Sequence, residues 1–508
     1  MIKIKQTMAV LTLPLFAILF FSGCKKFLDR KPLGATITDI PGALDAQAKG
    51  LYGAIRNSAS DPYCGDGFQN IPWIAMNGFR SDDGEIVADP GASAWNQTYD
   101  NFQYTKDDWG AGLYWSAHFV FIGLCNTILT TADAGNFVDE RSMINRAEAR
   151  FFRAYAYYDL VRTYGDVPKI DFQILEPEQS NVPKSTAADI WAFIDEDLAF
   201  AQQHLPISWE SKYAGRLTSG AAKSLRAKSM LYNNRWNEAS GLLREVIASA
   251  PAAGYALLPD YWRVFKEEGE LSSESVFEIQ ASKTSGDGNI YWSRLGQSQG
   301  VRGSGTWDLG WGWNTPTASL VASYEATDKR KEATILYSNQ FDGGPTTGGY
   351  GNTVPNLSNA LYWNKKVYND YSRYLSAGLG TPNNEAQNTW LNHRVIRYAD
   401  VLLMAAEAAN EAGGGTNGTD AAGWVNLVRA RAGLLPIAFV DQAQMRGVIK
   451  RERRSELAME YDRFFDLVRW GDAETVLGSL GYQNKHRYFP IPTSALNSNT
   501  ALLQNPEW

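Results

Sequence analysis

The chain has 508 residues, with 48 Lys and Arg against 55 Asp and Glu, a formal net charge of -7 and a pI near 5.4. That balance argues against a nucleic-acid partner, which needs a basic stripe to replace counterions, and the length leaves room for about three domains. Aromatic residues are abundant, at 17 Trp, 25 Tyr and 22 Phe; such rings serve cores and binding faces alike, so they raise a ligand-binding reading without deciding it.

The N-terminus reads as an address. Lys3 and Lys5 form a basic region, and Met8 to Phe21 an apolar one too short to span a bilayer comfortably. Phe21-Ser22-Gly23-Cys24 follows, which has the form of a lipobox with Cys24 as the lipidated first residue of the mature chain. Residues 1–23 are thus expected to be a lipoprotein signal peptide. After it no apolar run reaches 18 residues, so no transmembrane helix is expected. Cys64 and Cys125 are the other cysteines, and spacing alone leaves open whether they pair.

Pro41 to Ile55 has helical spacing at Leu44, Ala48, Leu51 and Ile55. Ser58 to Gly110 has no period and reads as a long irregular region rich in aromatics, among them Tyr63, Phe68, Trp73, Trp95, Tyr99, Tyr104 and Trp109. Long ordered loops of this kind tend to carry function. Within it, Arg80-Ser81-Asp82-Asp83-Gly84-Glu85 reads as a mostly solvated charged turn, since the alternating Asp spacing of an EF-hand is missing. Ala111 to Thr131 again reads as a helix.

Glu148 to Ile170 is the most apolar helical stretch. Ala149, Phe152, Ala156, Leu160 and Tyr164 share one face, and Phe151, Tyr155, Tyr158 and Val161 widen it. Gly165 and Pro168 mark its end. Arg150, Arg153, Asp159 and Arg162 interrupt the stripe and are read as a buried, paired charge network. The run from Arg146 to Pro168 resembles the signature helix of the SusD/RagB family, outer-membrane nutrient-binding lipoproteins of Bacteroidetes-type bacteria. KKFLDRKP after Cys24 is similar to that family's start.

From Leu217 to Pro251, the residues Ala227, Trp236, Ala239, Leu243 and Pro251 fall where a tetratricopeptide repeat places its small, aromatic, large and terminal proline positions. Further helix pairs are predicted at 142–164 with 187–203 and at 396–412 with 421–432. The predicted fold is mostly α: tetratricopeptide-like hairpins stacked as a short solenoid, with long irregular insertions. Residues 24–285 form the N-terminal region and 286–508 the C-terminal one.

Gly286 to Thr353 is a second Gly- and Trp-rich irregular region. Its Gly296-Gln297-Ser298-Gln299-Gly300 has the form of a hydrolase nucleophile elbow, which needs a strand before and a helix opening at the serine. QGVRGSGTW after Ser298 will not make that helix. There is no HExxH, CxxC or P-loop, and four scattered His give no visible metal cluster. No cofactor is predicted, and the binding of calcium is left open.

Ile396 to Leu434, Glu452 to Gly471 and Pro490 to Trp508 resemble three further SusD/RagB blocks. Glu452 to Gly471 reads as one helix with Leu457, Tyr461, Phe464 and Val468 on its apolar face, and Glu460, Arg463 and Asp466 in a structural charge network. The resemblance implies a lipid-anchored, outward-facing glycan-binding protein that partners a SusC-type TonB-dependent transporter, with a peptide-binding RagB-like member as the alternative. A glycosidase would need two carboxylates flanking a cleft, which the adjacent Asp82 and Asp83 do not offer. The candidate ligand site is an aromatic platform of Trp95, Trp307, Trp311, Trp313 and Tyr291, with Arg80, Asp82 and Asn96 as polar partners for sugar hydroxyls.

Overall fold

The computed structural model describes residues 42–56, 68–69, 71–87, 94–282, 292–357, 360–372 and 390–508. Residues 1–23, Cys24, Cys64, Tyr291 and the expected 285/286 boundary lie outside these.

Helices α1 (Ala43–Ala54), α2 (Ile71–Gly78) and α3 (Ala94–Asp100) precede the repeats. The repeats begin with α4 (Trp109–Ala134), α5 (Glu140–Tyr164), α6 (Ala187–His204), α7 (Ser219–Tyr232) and α8 (Trp236–Ala253). Short helices α9 (Arg294–Gln299), α10 (Ala318–Ser323) and α11 (Lys329–Thr334) belong to the excursion that follows. Then come α12 (Tyr398–Ala412), α13 (Gly415–Arg431), α14 (Gln442–Leu457), α15 (Arg463–Trp470), α16 (Ala473–Leu477) and α17 (Thr493–Ser498).

The helices stack as consecutive neighbours from α4 to α8; α8 then packs on α12, and α12 on α13 and α14. The chain therefore leaves the solenoid after α8 and re-enters it at α12. Each hairpin buries its apolar face on the next, and Ala227, Ala239, Leu243, Ala405 and Ala409 are completely buried at these contacts. Side chains of Asp139, Thr186 and Thr218 cap the starts of α5, α6 and α7, each accepting a backbone N–H bond.

Four two-stranded antiparallel pairs occur among the described residues. They are β1 (Gly84–Glu85) with β5 (Thr315–Pro316), β2 (Val167–Pro168) with β3 (Lys184–Ser185), β4 (Ser275–Ile279) with β8 (His393–Arg397), and β6 (Ile335–Tyr337) with β7 (Tyr362–Asn364). Of these, β1 with β5 joins the N-terminal segment to the excursion.

The charges of α5 form the paired network the sequence predicts. Arg153 donates two bonds of 2.8 Å to Asp197, and Asp159 accepts from Arg162 at 2.5 Å and from the Trp73 indole at 2.7 Å. Glu148 accepts from Arg216 and from the Tyr52 hydroxyl. Charges buried this deeply persist because each has an opposite partner.

Three expectations are corrected, and one, for α4, is only qualified. Ser58 to Gly110 is not irregular throughout: α2 is buried on every side, so it shows no amphipathic period, and Phe68, Trp73, Tyr99, Phe102 and Tyr104 are core residues. The charges at 80–85 are not a solvated turn, since Arg80 and Asp83 are buried. Helix α4 is long and apolar enough to cross a membrane by length and composition, yet half of its most apolar window is buried inside the fold, with His118 and Asn126 in the core.

Finally, Glu452 to Gly471 is two helices, broken at Ala458–Asp462, where Met459 and Tyr461 take φ of 65° and 74°. Long-range donors take the carbonyls that would continue the helix. Tyr261, Arg397 and Lys366 bond the Glu456 oxygen, and Lys366 bonds that of Ala458 at 2.7 Å. The expected charge network exists, but Glu460 pairs with Arg397 and Lys366 instead of Arg463.

Candidate functional site

The two aromatic-rich regions meet at the β1–β5 pair. Gly84 faces Pro316 and Glu85 faces Thr315, and Asp83 accepts the Thr317 N–H at 3.0 Å. A Cβ on Gly84 would lie 1.9 Å from the Asn314 side-chain oxygen, so any larger residue there would have to displace that side chain. The Trp311-Gly312-Trp313 segment is held by main-chain bonds to the end of α9: Trp311 N–H to Gln297 O at 2.8 Å, Gly312 to Gly300 at 2.9 Å, and Trp313 to Ser298 at 2.9 Å. This approach requires glycines at 300 and 310, since a Cβ on Gly310 would meet the Gly300 Cα at 2.5 Å.

The serine motif has a different role from the one its form suggests. α9 ends at Gln299 instead of starting at Ser298, and the buried Ser298 hydroxyl donates to the Leu295 carbonyl at 3.2 Å. Gly300 serves the close backbone contact. No group of His, Cys, Asp and Glu among the described residues is placed to hold a metal ion.

The result is a stepped arc of four indoles. Trp109 meets Trp95 at 4.9 Å between centroids and 61°, Trp95 meets Trp313 at 5.9 Å and 89°, and Trp313 meets Trp311 at 4.7 Å and 53°. Trp109 is 45 % exposed, Trp95 and Trp311 are half-buried, and Trp313 is 8 % exposed. Trp313 also stands edge-on to Phe79, so it wedges the arc onto the core while the others keep accessible ring area. Trp109 is the first residue of α4, fixed by the Asp108 cap: one carboxylate oxygen accepts from Gly110 and Ala111 N–H groups and from the Tyr99 hydroxyl. Beside the arc, the Arg294 guanidinium lies 5.8 Å from the Trp311 ring centre, and Arg302 reaches the Trp311 carbonyl. Asp100, at the end of the helix that carries Trp95, is pushed up to about 7 by burial, against a long backbone bond from Ile86.

The structure thus brings Trp95, Trp311 and Trp313 together and adds Trp109, which the sequence reading placed in the loop without assigning it to the site. Asp108 immediately before it is an N-cap signal that would have started the helix there. The other predicted members are not in the arc. Trp307 stacks on Tyr368, 6.1 Å away and nearly parallel, in a separate small core with Trp363 and Trp390. Arg80 has no exposed surface; its guanidinium is caged by Phe464 at 3.9 Å, Phe489 at 4.5 Å and Phe465, and its Nε donates to Met76 O. Asn96 is equally buried. Neither can meet a surface ligand, because helix packing encloses both side chains.

Asp82 is a clamp. It accepts two bonds from Arg463, at 2.8 and 3.0 Å, and lies 2.8 Å from Arg454, which also bonds Asp83 at 2.7 Å. Burial pushes the Asp82 pKa up, but the hydrogen bond and charge of Arg463, joined by Arg454, hold it below the usual carboxylate value. These bridges tie β1, and through it the arc, to α14 and α15.

Comparison with known proteins agrees with this architecture. Residues 273–508 match the model of the SusD family, and residues 69–231 a model described as starch-binding, associating with outer membrane. SusD-like protein P2 of Formosa agariphila is 28 % identical over 444 residues, covering 82 % of this chain and 85 % of that protein. A SusD-like protein of Bacteroides ovatus is 27 % identical, covering 89 % and 81 %. Among solved structures, a laminarin-binding SusD-like protein superposes with a TM-score of 0.76 at 27 % identity, covering 92 % of this chain and 99 % of the other. Surface glycan-binding protein A from Bacteroides thetaiotaomicron, in complex with laminarihexaose, shares the fold with a TM-score of 0.73 at 23 % identity, covering 91 % and 98 %. In sequence and in fold, the chain belongs to the SusD/RagB family.

Proposed function

We propose that the protein is a lipid-anchored glycan-binding protein of the outer membrane that captures an oligo- or polysaccharide and delivers it to a SusC-type TonB-dependent transporter, without itself cleaving the ligand. The observation that carries this reading is the arc, in which Trp109, Trp95 and Trp311 keep accessible ring area around the buried wedge Trp313 and offer a stepped apolar surface to the C–H faces of successive sugar rings. A laminarin-binding relative of the same fold supports the glycan class, and the lipobox at Cys24 supports the anchor.

The test is affinity for a glycan panel that includes laminarin and starch, with peptides alongside. Trp109→Ala and Trp311→Ala should each lose about 1–3 kcal/mol of glycan affinity with little change in melting temperature. Trp313→Ala should instead cost about 3–5 kcal/mol of stability, as a truncated core aromatic does. Wild-type binding to peptides alone would replace the glycan reading with the peptide-binding one. Cys24→Ala should move the protein to the soluble fraction, because loss of the acyl chains removes about 0.8 kcal/mol per buried CH₂.

A further inference from the structure

A groove of about 150 Å³ opens on the solenoid itself, between the start of α8, the faces of α12 and α14, and the end of α15. It uses none of the arc's residues. Trp470 ends the helix whose first residue, Arg463, clamps Asp82, and it forms one wall; Trp236 forms another. The buried Ile449 contributes an apolar lining.

The two indoles differ. Trp470 is locked: its Nε1 donates to Glu407 at 2.8 Å, and its ring lies 4.9 Å from the Arg469 guanidinium and 5.2 Å from the Lys450 ammonium. Trp236 is half-buried: it packs against the hydrophobic core and also lines the groove. Part of its indole is therefore accessible from the groove.

The charged lining is already neutralised in pairs. Glu407 takes Arg469, and Glu411 takes two bonds from Arg446, at 2.8 and 2.5 Å. An ionic ligand would have to break a pair, whereas hydroxyl groups can share the spare lone pairs and N–H groups of intact ones. A ring-sized volume, two indoles in its lining and paired polar groups fit a single pyranose residue.

We propose that this groove is a second carbohydrate contact, holding one uncharged sugar residue of a polymer whose main length lies on the arc. The inference rests on the glycan reading of the arc. Its use is avidity: a second weak contact on one polymer raises apparent affinity through effective concentration.

The test labels the full chain with 5-fluorotryptophan and follows ¹⁹F resonances while laminarin, starch and other neutral polysaccharides are added. The signal missing in Trp236→Phe is assigned to Trp236, and those missing in Trp109→Phe and Trp311→Phe to the arc. The expected result is a saturable shift of the Trp236 signal that survives in Trp311→Ala, and a threefold to tenfold loss of polymer affinity in Trp236→Ala. If the arc signals shift and the Trp236 signal does not, the groove is no sugar site and the function proposed for the arc stands. If no signal moves with any polysaccharide, the glycan reading falls and this inference falls with it.

Discussion

Replacing Asp82 with asparagine separates a ligand contact from a clamp. The side chain is 12 % exposed and its partners Arg463 and Arg454 are 14 % and 16 % exposed. The change keeps shape but removes the charge that two partly buried guanidiniums face. Breaking a fully buried ion pair costs about 3–5 kcal/mol, and charge-assisted hydrogen bonds contribute about 1.5–3 kcal/mol each, so partial exposure puts the loss near 3 kcal/mol. Unfolding entropy of about 2.1 cal/mol/K per residue gives a chain of this length about 1 kcal/mol/K, hence a fall of about 3 °C in Tm. Calorimetry reads that shift, and titration with the bound glycan reads affinity, expected to fall about twofold to fivefold as β1 loosens. The Asp82→Asn, Arg463→Gln double variant should be less destabilised than the sum of the single changes, because each already breaks the same bridge. An unchanged Tm together with a tenfold or greater loss of affinity would make Asp82 a ligand contact and refute the clamp.

Two further outcomes follow from the same region. Asp100 keeps its proton to about pH 7 in the fold, whereas an unfolded Asp releases it near pH 3.9; the folded state binds the extra proton between these values, so this group's contribution to stability declines as pH rises from about 4 to 7 and is level above. Asp100→Asn should therefore melt higher than wild type at pH 7.5, with the advantage shrinking toward pH 4.5, as denaturant titrations at the two pH values would read. Gly310→Ala should cost about 1–3 kcal/mol and weaken glycan binding as well, since its Cβ would collide with Gly300 and displace the Trp311 segment. The control Gly123→Ala, with open space around it on α4, should be neutral or stabilise by up to about 1 kcal/mol in the same melts.

Much of the scaffold was legible in the chain because helical periodicity and capping are local. The predicted pair at 142–164 and 187–203 and the repeat from Leu217 to Pro251 correspond to α5 to α8. The prediction of paired charges on α5 followed from the cost of burying a lone charge, and Arg153 with Asp197 meets it. The arc was legible in part: aromatics crowded into Gly-rich stretches pointed to Trp95, Trp311 and Trp313.

What remained was decided by partners far away in sequence. Nothing near Trp307 says that Tyr368 will stack on it, and nothing near Arg80 says that Phe464 and Phe489 will enclose it. Trp109 became an arc member because α3 brings Trp95 to the start of α4. Glu452 to Gly471 carries an unbroken helical pattern, yet it breaks where Lys366, Arg397 and Tyr261 arrive to take its carbonyls. Periodicity is a property of one segment, so sequence reveals it. The fate of a buried ring, charge or carbonyl depends on which remote group satisfies it, and only the packed chain supplies that group.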